Sequence, residues 1–313
     1  MSGELVTIFG GSGFIGKTLV QHLAKAGYRI RVAVRQPNNA LFLKPLGELG
    51  QIQIAQANIR NRLSVEAAIK NADYVINLVG ILYESGSQTF EGVHHKGAEL
   101  IAEIAAIAGV KHLIHLSSIG ADKDSSSKYA RSKAAGEEAV IKNFPNATIL
   151  RSSVVFGPDD GFFNKFAALA KMFQILPVVC GDSKMQPIYV GDLASAMGKV
   201  LGNSNAYGKI YELGGPEVYS MRELMKLVNE ETQQNVPMIN LPLKLAYFKA
   251  FFLGMLPNPM LTMDQLRMLE KDNIVSGELP TLSDLGVTPT PVEAVIPKYL
   301  IQYRPTGQFK AAH

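Results

Sequence analysis

Leu5-Val6-Thr7-Ile8-Phe9-Gly10-Gly11-Ser12-Gly13-Phe14-Ile15-Gly16 decides how this chain is read. The first five residues form an apolar, β-type run. A glycine-rich turn follows at once, and from Phe14 the pattern becomes that of a helix running to Ala26, with Gly27 where a C-cap belongs. Strand, glycine loop and helix in this order make a dinucleotide site: Gly10 allows the tight turn, Gly13 the close approach of a pyrophosphate, and Gly16 the contact of helix on strand. Gly11, Ser12, Phe14 and Ile15 complete the loop, whose free N–H groups at a helix N-terminus favour the phosphates.

Working outward, strand and helix patterns alternate to about residue 151. Strands are expected at Leu5–Phe9, Ile30–Val34, Ile52–Ala55, Tyr74–Leu78, Lys111–Leu116 and Thr148–Leu150. Helices are expected at Phe14–Ala26, Leu63–Lys70, Glu91–Ala108 and Tyr129–Phe144. Such alternation predicts an α/β, Rossmann-type doubly wound parallel sheet, with ligands at the carboxyl ends of its strands. Beyond that point prolines recur from Pro158 to Pro291 and the rhythm breaks. The expectation is a dinucleotide-binding domain over 1–151 and a smaller α/β substrate or partner lobe over 152–313, with interleaved pieces. Asp124-Ser125-Ser126-Ser127 reads as a mobile polar loop, Asp159 and Asp160 as caps for a helix from Phe162, and Asp192 as the cap of a helix from Leu193.

Composition narrows the function. Hydrophobic residues make up 47% and charged residues 19% of 313, and the net charge is +4 with no Lys/Arg block. That suits a globular core and does not suggest nucleic acid. One cysteine, Cys180, leaves no disulfide framework, and the six histidines show no metal spacing. No presequence pattern precedes the first strand and no apolar run reaches a membrane span. A cytoplasmic protein is therefore expected. Residues 241–256, LPLKLAYFKAFFLGML, are either a buried helix or an amphipathic surface meeting a membrane or a large partner, with Lys244 and Lys249 toward head groups.

Chemistry is suggested where Ser118 ends the fifth strand and Tyr129 and Lys133 follow. The latter pair, four apart on a helix, share a face. The lysine cation is expected to lower the phenol pKa, fitting Tyr129 for general acid–base work, while Ser118 orients a substrate oxygen and Lys133 holds a nicotinamide ribose. The second strand ends at Arg35, a cation that favours the 2′-phosphate of NADP(H) over NAD(H). Asn58 is a partner for the adenine amino edge or a cap for the next helix. His94 is expected to be a hydrogen-bonded structural histidine, with the nicotinamide pocket as its alternative.

The glycine loop, the Ser-Ser strand end and the Tyr129/Lys133 pair resemble the short-chain dehydrogenase/reductase superfamily in its extended and atypical, epimerase/dehydratase-like branches. Closer still is the nucleotide-binding accessory subunit of respiratory complex I and its bacterial relatives. The segments that resemble it include Asn77-Leu78-Val79-Gly80-Ile81-Leu82, His94-His95-Lys96-Gly97-Ala98, Ser125 to Glu137, Val155 to Phe162, Gln186 to Asp192, Leu213 to Glu217 and Leu261 to Gln265. The resemblance implies a bound dinucleotide, usually NADPH, with Val79 and Gly80 in its site. It also implies complex I subunits as partners near the respiratory membrane, on its inner face, or a role in quinone metabolism. Arg151-Ser152 stands where sugar-modifying relatives carry Arg-Pro, and His94 where they carry Asn. Ser118 is retained where mitochondrial members can lack it, so the alternative is a free-standing NAD(P)-dependent oxidoreductase or epimerase acting on a carbonyl or sugar-nucleotide substrate.

Overall fold

The computed structural model describes residues 3–254, 256, 259 and 261–305. In chain order the elements begin β1 (Leu5–Phe9), α1 (Phe14–Lys25), β2 (Arg29–Val34), β3 (Ile52–Gln56), α2 (Arg62–Ile69), β4 (Tyr74–Asn77), α3 (Lys96–Ile107), β5 (His112–Ser118), α4 (Lys128–Asn143) and β6 (Thr148–Ser152). They continue β7 (Val155–Phe156), α5 (Phe163–Phe173), β8 (Leu176–Val178), β9 (Lys184–Met185), β10 (Ile188–Tyr189), α6 (Val190–Val200) and β11 (Ile210–Leu213). The last are β12 (Tyr219–Ser220), α7 (Met221–Thr232), β13 (Met238–Asn240), α8 (Leu243–Leu253), α9 (Met263–Leu269) and α10 (Pro297–Leu300).

The chain divides into two compact units. Unit 1 is Met1–Ser152, Gly191–Leu213 and Gly277–Val287; unit 2 is Ser153–Val190, Gly214–Ser276 and Thr288–His313. In unit 1 seven strands form one sheet in the order β11-β6-β5-β4-β1-β2-β3, every neighbouring pair parallel. This is the α/β Rossmann-type architecture that the alternating pattern predicts. β1 lies between β2 and β4, so the strand order reverses beside it and a crevice opens at the carboxyl ends. Phe9 pairs with Asn77 and Asn77 with His115, which brings Gly10, Leu78 and the end of β5 to one edge. α2, α3 and α4 pack on the sheet, where Val65, Ile101, Ile104 and Val140 share one buried cluster with Leu113, and α1 buries Leu19, Val20 and Leu23 outside that cluster.

The seventh strand, β11, was not expected. It lies about 60 positions after β6, and its register (Ile210 with Ile149, Leu213 with Ser152) returns it to unit 1. Pro280 O accepts the Glu212 N–H, which is how Gly277–Val287 joins the same unit. Two other local readings change. Asp192 lies within the first turn of α6, which begins at Val190, and is not a cap before Leu193. The serine loop is held, not loose: Ser125 and Ser127 are buried, Ser127 Oγ caps α4 through Ala130 N–H, and Arg131 donates to Ser125 O.

Unit 2 has short strands and its own cores. Phe156, Phe163, Leu224, Val228 and Ile296 are buried together. Asp160 Oδ1 accepts from Phe162 and Asn164 N–H, capping α5, and its Oδ2 accepts the Tyr299 hydroxyl at 2.6 Å. The apolar stretch 241–256 forms α8 and its flanks, Met255 lying outside the described residues. Ala246 and Ala250 bury one face against Leu266 and Val179, while Phe248 (63% exposed), Phe251, Phe252 and Leu245 stand open on the other.

Candidate nucleotide site

Gly10 adopts φ +81, in the left-handed region where a side chain is strained, and this turns the chain from β1 onto α1. A Cβ on Gly16 would lie 2.5 Å from Gly11 Cα and 2.6 Å from Gly10 O, so the helix packs on the loop only with glycine there. Gly13 differs. Its Cβ would meet only Gly10 O, at 3.4 Å, an ordinary contact, so nothing within the protein demands glycine at that position. Bare backbone there is left open to an approaching ligand. Gly13 is the N-cap of α1, no side chain caps the helix, and no acidic residue lies in its first turn. The N-terminal N–H groups and the dipole are therefore available to a pyrophosphate, and the residues present fit a dinucleotide. Ser12, Phe14 and Ile15 line the loop half-buried.

Beside the loop is a cavity of about 90 Å³ lined by Arg35, Asn58, Arg60, Val79 and Gly80 among others. Arg35 and Asn58 thus meet, with the strand-end residues Val79 and Gly80. A second cation, Arg60, lies two residues beyond Asn58 in the same lining, its guanidinium fastened to Ser87 O. The signal available was an arginine just past the end of β3; its position depended on the loop. Asn58 Oδ1 accepts from Arg60 N–H at 3.1 Å, shaping this loop, while the α2 cap is Asn61, which accepts from Ser64 N–H.

Ser118, Tyr129 and Lys133 all belong to unit 1, the first on β5 and the others on α4. Ser118 Oγ is buried and makes no hydrogen bond of ordinary geometry with the described residues. Burial raises the Tyr129 phenol pKa, and the nearby Ser118 hydroxyl pulls it down in part. This corrects the expectation that Lys133 lowers it: Lys133 Nζ donates to Leu116 O at 2.8 Å instead. Lys133 is itself buried, which brings its pKa down to about 8 against the opposing pull of Glu137. Its other two protons meet no acceptor among the described residues. A buried cation with spare donors, in the same unit as the buried Ser118 hydroxyl, suits a ligand rich in oxygen, such as a ribose.

His94 stands on a turn of π-helix, Glu91–His95, where an unbroken α-helix from Glu91 was expected. Its Nε2 accepts the Ile81 N–H at 2.9 Å and its Nδ1 meets Ser132 Oγ at 2.8 Å. Ser132 Oγ gives its proton to Tyr129 O at 2.7 Å, so the His94 proton lies on Nδ1 and donates to Ser132. Burial, with the Lys133 charge, drives its pKa down to about 3. The neutral ring stacks on Phe90 and meets Tyr129 edge-on at 5.3 Å. His94 therefore supports the tyrosine and the loop after β4. The π turn approaches α4 so closely that a Cβ on Gly136 would lie 2.2 Å from His94 O. In the next strand Asn77 Oδ1 accepts from Val79 N–H and Nδ2 donates to His115 Nδ1, leaving His115 Nε2 protonated and without an acceptor among the described residues. Among the described residues no cluster of three His, Cys, Asp or Glu could hold a metal.

Comparison with known proteins agrees with this geometry. The pattern of the NAD dependent epimerase/dehydratase family matches residues 6–214. The chain is similar to "NADH dehydrogenase [ubiquinone] 1 alpha subcomplex subunit 9, mitochondrial" of Arabidopsis thaliana, with 34% identity over 98% of this chain and 80% of that protein. A "Ceramide reductase" of Caulobacter vibrioides is 32% identical over 62% of this chain and 59% of that protein. Among solved structures, Citrobacter sp. triphenylmethane reductase complexed with NADP(H) superposes with a TM-score of 0.75 at 18% identity, covering 94% of this chain and 99% of that one, a likeness of fold.

Proposed function

The chain belongs to the NAD dependent epimerase/dehydratase family, and on that premise we propose that it is an NADP(H)-binding accessory or assembly subunit of a complex I-type NADH:ubiquinone oxidoreductase. The observation that carries the reading is the likeness to complex I subunits over nearly the whole chain, unit 2 included. The open face of α8 supports it. A helix apolar on all sides normally lies buried, yet Phe248, Phe251 and Phe252 are left exposed, flanked by Lys244 and Lys249. A membrane-proximal partner surface would cover them. Among the described residues no helix is long and apolar enough to cross a membrane. The test is capture of the tagged protein from its native cells in mild detergent. Complex I subunits in stoichiometric yield are expected; a monomer or homodimer without them overturns the reading.

The nucleotide preference rests on Arg35 and Arg60 lining one cavity. Arg35→Asp is expected to weaken NADPH binding by about 100-fold, through one lost charge-assisted contact and one new repulsion, and NADH binding by only a few-fold. Equal losses for the two nucleotides, read by calorimetric titration, would remove the assignment.

Ser118, Tyr129 and Lys133 favour a second reading, a free-standing reductase or epimerase. Bound NADP(H) would supply or accept the hydride. Tyr129 would pass the proton at its Oη, Ser118 Oγ would hold the substrate oxygen, and Lys133 Nζ would hold the ribose and the charge beside the phenol. Tyr129→Phe keeps the ring contacts with Phe90 and His94. It is expected to leave melting temperature and nucleotide affinity unchanged. Normal growth and normal oxidoreductase assembly in cells carrying it would assign the chain to the subunit role, and a lost phenotype would assign it to proton chemistry.

A further inference from the structure

A second cavity in unit 1, of about 390 Å³, is built from Lys199 and Asn203 on and after α6, Lys209 and Tyr211 at the start of β11, and Asp284 with Leu285 on the returning segment. Its volume falls in the range of small-molecule pockets. It lies at the amino-terminal ends of the parallel strands, the opposite pole of the sheet from Gly10 and Ser118.

The lining is rich in donors. Lys199 and Lys209 form no ion pair within 4 Å among the described residues. Tyr211 is the more telling group. Its side chain lines the cavity with the residue only 5% exposed, and its hydroxyl makes no hydrogen bond with any described residue. The ring is buried while the hydroxyl opens to the cavity beside two ammonium groups, where its proton is free for an acceptor. The one carboxylate present is already engaged: Asp284 Oδ2 accepts from Thr281 N–H at 2.7 Å and from its hydroxyl at 3.2 Å. It balances one lysine and leaves one cation in excess.

We propose that this cavity binds a small organic oxyanion, a phosphate or a carboxylate, held by Lys199, Lys209 and the Tyr211 hydroxyl. The site owes nothing to the dinucleotide loop or to the subunit role. The test uses the full chain saturated with NADPH, so that the phosphate loop is filled, at constant ionic strength set with chloride. Inorganic phosphate and citrate are titrated separately, with calorimetry as the readout. Saturable binding of at least one probe is expected, weakened about tenfold by Tyr211→Phe, which removes one hydroxyl and no packing, and abolished by Lys199→Met with Lys209→Met. Phosphate binding alone identifies a phosphate ester as the natural class, and citrate binding alone a carboxylate. No saturable binding of either probe, or binding that Tyr211→Phe leaves unchanged, overturns the proposal.

Discussion

Gly136→Ala is expected to destabilise the protein by about 2–3 kcal/mol, although alanine is the better helix former. In an exposed helix interior the exchange would gain about 1 kcal/mol. Here the new methyl would lie 2.2 Å from His94 O, a backbone atom that cannot swing aside. Separating α4 from the π turn costs about 3 kcal/mol or more, by the measure of overpacked cores. The steric term wins. Because His94 links Ile81 N–H, Ser132 and the Tyr129 ring, nucleotide affinity is expected to fall with the melting temperature. Ala135→Gly, one residue away, serves as the control and is expected to cost only the usual 1 kcal/mol or so. A melting temperature for Gly136→Ala equal to or above that of the parent protein would show that the two helices are not in such contact.

Acidification is expected to destabilise the protein from about pH 6.5 downward, before most carboxylates begin to titrate. Burial holds His94 down to about 3, His112 down to about 4 and His115 well below the ordinary value of 6.5. Each is neutral in the fold and takes up a proton on unfolding below pH 6.5. The unfolded chain therefore binds more protons, and stability is lost as pH falls from 6.5 toward the folded values. Each histidine contributes a slope of at most about 1.4 kcal/mol per pH unit, so three together approach ~4 kcal/mol per unit. The loss reaches about 6 kcal/mol by pH 5 and about 10 kcal/mol by pH 4, enough to unfold a protein in the lower and middle part of the typical range of about 5–15 kcal/mol. Asp73, whose carboxyl the Leu5 N–H holds below its ordinary range, begins to matter only at lower pH. Urea midpoints measured from pH 7 to 5 check the slope, and a flat profile would mean that the three rings do not stay neutral in the fold. His112→Gln, keeping a donor toward Thr148, is expected to remove about a third of the slope.

The glycine loop and six of the seven strands were legible because each signal is local: an apolar run, a turn residue, a 3.6-residue period. β11 was not. Its four residues, IYEL, have no period to read, and what makes them a strand is pairing with β6 from far along the chain. The residues of the candidate site divide in the same way. Gly10 to Gly16 could be read from spacing, whereas Arg60 reaches the Arg35 cavity only through the path of the loop after β3. The chemistry of Tyr129 shows the limit most clearly. Spacing put Lys133 on its face of α4, but the phenol responds first to burial, and the lysine turns to Leu116 O. The π turn at His94 left no trace in the helical pattern, because it follows from the approach of Gly136 on another helix.

The three-stretch make-up of unit 1 has a consequence for a chain leaving the ribosome. The glycine loop and β1 to β6 are synthesised first of this unit, yet β6 has no neighbour on its outer side until Ile210–Leu213 has followed, and the Glu212 N–H meets Pro280 O only later still. Between those moments much of unit 2 is produced while one margin of the sheet shows unpaired backbone, a template for joining another nascent chain. Order of synthesis and order of completion therefore diverge: the sheet begun with β1 is closed on its β6 side only after residues 153–209 have been translated.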